Sequence, residues 1–543
     1  MKGTYRSAIE KHGSFRKAAK ALGLPASTLQ NRLAAEETVI PEAPKPGVIR
    51  ARDTQRRPLP KKGAVKRYIV TSAQSNTGVF DLCWNNLLAF ADFYDAEILV
   101  GATTYRVTEQ SAKGQKTGRE TPADESEWWA DEVMPYLANS RVELAPGLVW
   151  CGELNILPTA VDPISGLESY TGAASAIFPH AKFAVKSIAS PKGKDAKIAY
   201  TTGCVTLRNY IQKKAGQKAE FHHGYGALIV EVCCDGSWFV RQLNADSEGV
   251  IYDLDKRAAS GKVTVGHRVK ALVWGDIHVR RLAYNTCIRY WGERRRGGIL
   301  DVFRPEVQVV HDVLDFRSQN HHDRNDPWIR HQKHTTGGSS VYDEVAEAAE
   351  FLSDASRKWC ETIVVRSNHD EALVRWLKEG DWKTDPENAR FFLRANLAAL
   401  DAYAEGNHDF DAIEWAIRDS MPSGDLSGVR FLRRDEDFVV CPDASGGIDL
   451  SMHGDKGANG TRGSVPQYAK MGRKCIIGHG HSAWLHNGAM AVGAAELDHG
   501  YNVGPSSWSK SHALVYANGK RTLITERNGR LYADDPCVLS AAH

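Results

Sequence analysis

Five apolar runs in the second half of this chain each stop at a short polar group of one kind, and no other feature restricts the fold so strongly. The run at 269–274 leads into Gly275-Asp276-Ile277-His278, and that at 306–310 into His311-Asp312-Val313-Leu314-Asp315. The run at 361–365 leads into Arg366-Ser367-Asn368-His369-Asp370. Those at 448–452 and 475–477 lead into His453-Gly454-Asp455 and Gly478-His479-Gly480-His481. Runs of this length, rich in Val and Ile, read as buried strands. Each polar group then stands at the carboxyl end of a strand, where open α/β sheets hold their ligands. Singly, an Asp or His there is more often a cap or a surface contact. Five in order, drawn from Asp, Asn and His, point to one sheet end built around metal. Asp276 and His278 lie two apart, which on a continuing strand turns both to one face and suits two ligands of one ion.

At 543 residues the chain needs two or three domains. Its 42% hydrophobic and 25% charged content is that of a soluble globular protein. There is no run of ~18 apolar residues, and the first residues are polar, so neither a signal peptide nor a membrane span is expected and the reading is cytoplasmic. The ten cysteines show no CxxC pair and no zinc-finger spacing, which fits reduced thiols; Cys233-Cys234 sits in an apolar run and reads as core. Net charge is +3, unevenly placed. Residues 1–67 hold 16 Lys/Arg against 5 Asp/Glu, an excess of +11, and the remainder holds 53 against 61. A basic arm on an acidic body suits a polyanion, and equally a solvated linker.

Residues 1–35 read as a small all-α head. Phe15, Ala18, Ala19 and Leu22 have helical spacing, Gly23-Leu24-Pro25-Ala26 breaks it, and Ser27-Thr28-Leu29-Gln30 has the form of a capping box. This stretch resembles the helix-turn-helix of bacterial and phage regulators. The resemblance would put Ser27, Thr28, Gln30, Asn31 and Arg32 against DNA; the alternative is a bundle used for oligomerisation. Such heads often work as dimers, so a homo-oligomer is expected. Residues 36–66, with Pro41, Pro44, Pro46, Pro58 and Pro60, read as an extended basic tether whose Arg56-Arg57 and Lys61-Lys62 could follow phosphates. Residues 67–262 read as an α/β accessory domain of unknown role, opening with a strand at 67–72, a helix at 79–94 and a strand at 97–100. Further strands are expected near 196–201, 226–232 and 237–242. No GxGxxG or Walker A spelling supports nucleotide binding.

The ordered set DxH, DxxD, NHD, H and GHxH resembles the calcineurin-like metallophosphoesterase superfamily, over roughly 263–525, with 526–543 left as a tail. The resemblance implies a β-sandwich flanked by helices and a two-metal centre. Asp276, His278 and His481 would hold one ion, and Asn368, His453 and His479 the other, with Asp312 bridging. His369 would protonate the leaving oxygen or contact the scissile phosphate, oriented by Asp315. Oxygen and nitrogen ligands without thiolate favour Mn, with Fe, Zn or Mg admissible. Two residues depart from the family: His311 and Ser367 stand where glycines are usual, so the loops there could be reshaped. Gly406-Asn407-His408-Asp409 spells the third motif better than 367–370 does, yet it lies between two helical patterns, so Asn368 and His369 are preferred. In the loop at 316–324, His321, His322 and Arg324 are candidates to grip substrate phosphates, with extra ligands or plain loop polarity as alternatives. Arg294-Arg295-Arg296 could guide a polyanion or be a solvated turn. Residues 376–430 read as a helical insertion over the site.

The superfamily's fold and metals do not choose the phosphoester. The basic head points to DNA, and the combination looks like phage-encoded DNA-degradation proteins. The expected activity is a metal-dependent DNase acting through a two-metal-activated hydroxide. Alternatives are a phosphoprotein phosphatase or small-molecule phosphodiesterase using the head for recruitment, and a DNA-binding regulator with a structural metal site.

Overall fold

A computed structural model of the chain describes residues 54–104, 128–323, 326–421, 425–444 and 446–537, with 11, 12, 18 and 20–22 of the head. There are two compact units, Met1–Arg50 and Ala51–His543. In the first, residues 11–12, 18 and 20–21 are helical. The expected DNA contacts Ser27, Thr28, Gln30, Asn31 and Arg32, and Arg324 of the expected substrate loop, lie outside the described residues.

The second unit is mixed α/β. Its βαβ opening is β1 (Val65–Gln74), α1 (Asp81–Tyr94) and β2 (Ala96–Thr103), with β1 and β2 parallel from Arg67↔Ala96 to Gln74↔Thr103. Helix α1 buries Cys83, Trp84, Leu87 and Phe90 on one face and stops at Asp95, whose left-handed backbone (φ 49°) turns its N–H back to the last carbonyls. Strands β3 (Gly226–Cys233) and β4 (Trp238–Asn244) complete a sheet in the order β4-β3-β1-β2. Buried Arg241 ties this region together, through Nη1 to Glu231 at 2.6 Å and through Nε and Nη2 to both oxygens of Asp253 at 2.7 Å. Cys233 is buried as expected, but its neighbour Cys234 is exposed; none of the ten cysteines forms a disulfide.

Three expected boundaries give way. Gln55–Arg56 is not tether but a short strand parallel to Arg141–Ala145, and Arg56 and Arg57 are ion-paired with Glu143 and Glu97. Residues 67–262 are not a separate domain. The strand Val185–Ile188 pairs antiparallel with Trp484–His486 through Val185↔Leu485, joining strands of both halves into one eleven-stranded sheet. Pairing removes two open strand edges that separate domains would leave exposed. Nor is 526–537 a loose tail: Leu531 and Tyr532 are in the core, and Arg289 reaches Asp535 at 2.6 Å.

The sheet that positions the site runs through β5 (Ala271–Val273) and β6 (Val307–His311), then helix α2 (Val341–Ala355), β7 (Glu361–Val365), and helices α3 (Asn368–Glu379), α4 (Ala389–Ala404) and α5 (Ala412–Ser420). It continues with β8 (Val429–Phe431) and, after other strands, a hairpin of β9 (Ser511–Val515) and β10 (Arg521–Thr525); the order is β8-β7-β6-β5-β9-β10. Strands β5 to β8 are parallel, so their carboxyl ends lie side by side. Alternation sorts each strand between two cores. Val273, Val309, Ile363 and Val515 face Ile448, Ile476 and Met490 of the eleven-stranded sheet. Leu272, Val310, Val364 and Leu514 face the helices, against Val345, Ala348, Ala349 and Leu352 of α2. Two buried faces explain why these strands are spelled as apolar runs.

The segment 376–430 belongs to that helical layer. Phe391, Phe392 and Ala395 of α4 and Ile413, Ala416 and Ile417 of α5 lie in the same core, with the Trp376 and Phe392 rings 5.0 Å apart. Helical spacing of these apolar residues drives it onto α2 and α3.

Candidate metal centre

The expected ligands converge because the strand-end loops run alongside one another. The N–H groups of Ile277 and His278 donate to the carbonyls of His311 and Asp312 at 3.0 and 2.7 Å. The N–H of Asp276 donates to Gly493, and the N–H of Gly478 to the carbonyl of His453. The N–H of Gly275 donates to Nδ1 of His512 at 2.9 Å; burial keeps that imidazole neutral, pushed down to about 3.

Strand β5 ends at Val273, three residues before Asp276, so a continuing strand does not bring Asp276 and His278 together. His278 instead has left-handed backbone (φ 48°), as do Asp312 (φ 50°), His479 (φ 67°) and His481 (φ 50°). For residues with a Cβ this region is strained by ~1–3 kcal/mol each, and it persists only where the surroundings over-determine it. The same observation accounts for the missing glycine: the left-handed turn falls on Asp312 itself, not on His311. Ser367 needs no glycine either. With φ −117° it caps α3, its Oγ accepting the N–H of Asp370 and donating to that carboxylate at 2.8 Å.

Around Asp312 the geometry is tight. Its Oδ2 lies 3.4 Å from Nε2 of both His278 and His453. Nε2 of His481 lies 3.1 Å from Oδ2 of Asp276 and 3.4 Å from Nε2 of His278. Ligand atoms of Asp276, His278, Asp312 and His481 all lie within 4.8 Å of one another. The second set is looser: His479 joins no such group among the described residues, its ring 5.3 Å from that of His453. Asn368 opens α3 at the end of β7, and its Oδ1 is buried with no hydrogen-bond partner.

Both oxygens of Asp276 and Asp312, both ring nitrogens of His453 and Nδ1 of His481 are likewise buried without a hydrogen-bond partner. Carboxylate oxygens and imidazole nitrogens buried without partners in such density fit a cation. The buried groups shift one another strongly. Burial and the Asp312 charge push Asp276 up to about 7. Burial opposes the Asp312 charge, but His453, His369 and His278 outweigh it and hold the carboxyl well below its ordinary range. Burial would lower His278, yet Asp312 and Asp315 raise it to about 10. Burial and the His278 charge press His481 down to about 3.

Asp315 serves a different imidazole from the one expected. Its Oδ1 is 3.1 Å from Nδ1 of His278, and its Oδ2 accepts Nε of Arg281 at 3.0 Å. His369 is held by the backbone carbonyl of Asp315, 3.0 Å from Nδ1, with the carboxylate 3.8 Å away. A carbonyl only accepts, so Nδ1 carries the hydrogen and Nε2 carries the ring's free lone pair.

Sequence reasoning missed two contributors. Asp370 accepts the N–H of Leu314 at 3.0 Å and so ties the loop after β6 to the start of α3; the Ser-x-x-Asp spacing of a capping box was its signal. His499 is buried with its ring 4.5 Å from that of His278 and 5.0 Å from that of His481. A single His in a polar loop carries no such signal.

His321 and His322 join no group of candidate ligands among the described residues. Glu344 holds the base of the 316–324 loop by accepting the N–H groups of Arg317 and Ser318, while His321 and His322 are exposed, rings 3.9 Å apart, with Arg375 3.2 Å from His321. Arg295 lines a cavity of about 660 Å³ with Glu361 and Val429, at the amino ends of β7 and β8. The 294–296 turn is therefore at the wrong end of the sheet to guide a substrate to the cluster. Gly406 (φ 84°) ends α4 and Asp411, not Asn407 or Asp409, caps α5; His408 is exposed.

Among the described residues no helix is long and apolar enough to cross a membrane. No known protein-family profile matches the chain. Protein A1 of Escherichia phage T5 is 37% identical over 478 residues, covering 86% of this chain and 83% of that protein. At that identity and coverage the chain belongs to the family of phage T5 protein A1.

Proposed function

We propose that this protein is a metal-dependent DNase with the calcineurin-like metallophosphoesterase fold and a two-metal centre. One observation carries the reading: residues from four strand ends, 205 positions apart from Asp276 to His481, gather buried carboxylate and imidazole groups around Asp312, and the Asn368 amide at a fifth strand end is buried and unpartnered too. Two divalent ions held there would lower the pKa of a shared water and polarise a phosphoryl oxygen. The chain's own residues do the rest. Asp312, between His278 and His453, is the shared anion. Arg281 and Asp315 fix the ring of His278, as outer partners of metal-binding imidazoles do. His369, 21% exposed and fixed through Nδ1, presents Nε2 to hold the proton that the leaving oxygen takes.

DNA as the phosphodiester is supported by the +11 excess of residues 1–67 and the helix-turn-helix spelling at 14–29. Mn²⁺-loaded protein is expected to degrade DNA. His369→Ala should slow it by ~10²–10⁴-fold with Mn²⁺ binding kept, and Asp312→Ala should remove both. Turnover of a phosphomonoester with no cleavage of any DNA form would overturn the nuclease reading.

A further inference from the structure

His311 is the residue the proposed centre does not use. It is fully buried at the end of β6, and neither ring nitrogen has a hydrogen-bond partner. A neutral imidazole has one donor and one acceptor, and leaving both unmade in a protein interior costs ~1–3 kcal/mol for each. Strand alternation puts His311 on the side of Val307 and Val309, between the two sheets. There a ring nitrogen of His311, a carboxylate oxygen of Asp276 and a ring nitrogen of His453 all lie within 4.8 Å of one another. The three come from different strand ends and include both sheets.

The wall opposite is shaped to leave this space open. A Cβ at Gly478 would stand 2.1 Å from Oδ1 of Asp276 and 3.2 Å from Cγ of His311. Oδ1 of Asp276 also has no hydrogen-bond partner, so each group around the gap presents an unmade bond. The gap is thus faced by one carboxylate oxygen and two imidazole nitrogens, the ordinary ligands of a divalent ion.

We infer that His311 is itself a metal ligand, binding a divalent transition-metal ion together with Asp276 and His453 from between the sheets. The inference rests on the two-metal reading, adds an imidazole to it, and draws onto one ion Asp276 and His453, which the resemblance gives to different ions. The expectation that the residue before Asp312 merely reshapes a loop is replaced by a chemical role.

The test uses full-length protein and Mn²⁺ alone, with His311→Gly, His311→Gln and, as reference, His453→Ala. Equilibrium binding gives affinity and stoichiometry, and pulsed EPR counts the imidazole nitrogens bound directly to Mn²⁺. Circular dichroism and melting establish that each variant is folded; His311→Gln keeps the volume if His311→Gly does not fold. The expected result is one fewer directly bound imidazole in both His311 variants, with Mn²⁺ affinity lowered at least as far as the ~10–100-fold seen on losing an outer partner. An unchanged imidazole count overturns the inference, whether affinity falls or not, because His311 would then act only through packing or a hydrogen bond to Asp276. If wild type binds no Mn²⁺, or His453→Ala matches wild type, the two-metal reading fails instead.

Discussion

Asp315 shows how a single carboxylate is divided between two imidazoles. Its side chain holds Nδ1 of His278, and its backbone carbonyl holds Nδ1 of His369. The two functions can be separated by mutation, since Asp315→Asn changes the first and leaves the second. We expect Asp315→Asn to lower Mn²⁺ affinity by roughly 10–100-fold, with the pH dependence of residual turnover unchanged because His369 keeps its carbonyl partner. Isothermal titration with Mn²⁺ and a pH–rate profile check this; an altered profile at unchanged affinity would restore the assignment of Asp315 to His369. At this scale the ligand types were legible, since Asp, Asn and His after a strand are a chemical signature in themselves. Which carboxylate serves which imidazole was not, because Asp315 is 37 positions from His278 and 54 from His369 and its backbone is as near as its side chain.

At the scale of elements, the strands hold the site still because they are buried on both faces. Gln308 is the polar exception within β6. Its Oε1 accepts the indole N–H groups of Trp274 and Trp291 at 3.0 and 3.2 Å, and its Nε2 donates to the Ala355 carbonyl and Thr362 Oγ1. All of its hydrogen-bonding capacity is therefore spent joining β5, β6, β7 and α2. Gln308→Leu keeps the size and strands two buried indoles, which should cost ~2–6 kcal/mol at ~1–3 kcal/mol for each group left unsatisfied. Urea unfolding measures it; a loss under about 0.5 kcal/mol, the range of ordinary surface changes, would show that the network does not support the strand. Element positions were readable from the sequence, as the βαβ opening at 65–103 and the five strand ends attest. Left-handed backbone at His278, Asp312, His479 and His481 was not, because no residue type there asks for it.

Over the whole molecule, the compact units divide between Arg50 and Ala51, and Gln55–Arg56 already pairs with Arg141–Ala145. A truncation meant to remove the basic head should thus end at Arg50; cutting at 67 would take the edge strand and the start of β1 with it. We expect protein lacking residues 1–50 to keep its melting temperature and its rate on a small chromogenic phosphodiester. It should lose DNA affinity and much of the salt slope, which measures the phosphates neutralised. DNA titrations at several salt concentrations decide it, and affinity untouched by the deletion would mean that the head is not the DNA anchor. Apolar runs and the residues that end them are local, so the sequence by itself determined an α/β chain with metal-binding types at strand ends. Only the tertiary structure decided that residues 67–262 share a sheet with the site, that His499 lies beside the cluster, and that His311 points between the sheets at Asp276 and His453. Those facts depend on which distant surfaces close over each other's open edges and unpaired groups, and no short stretch of sequence contains that information.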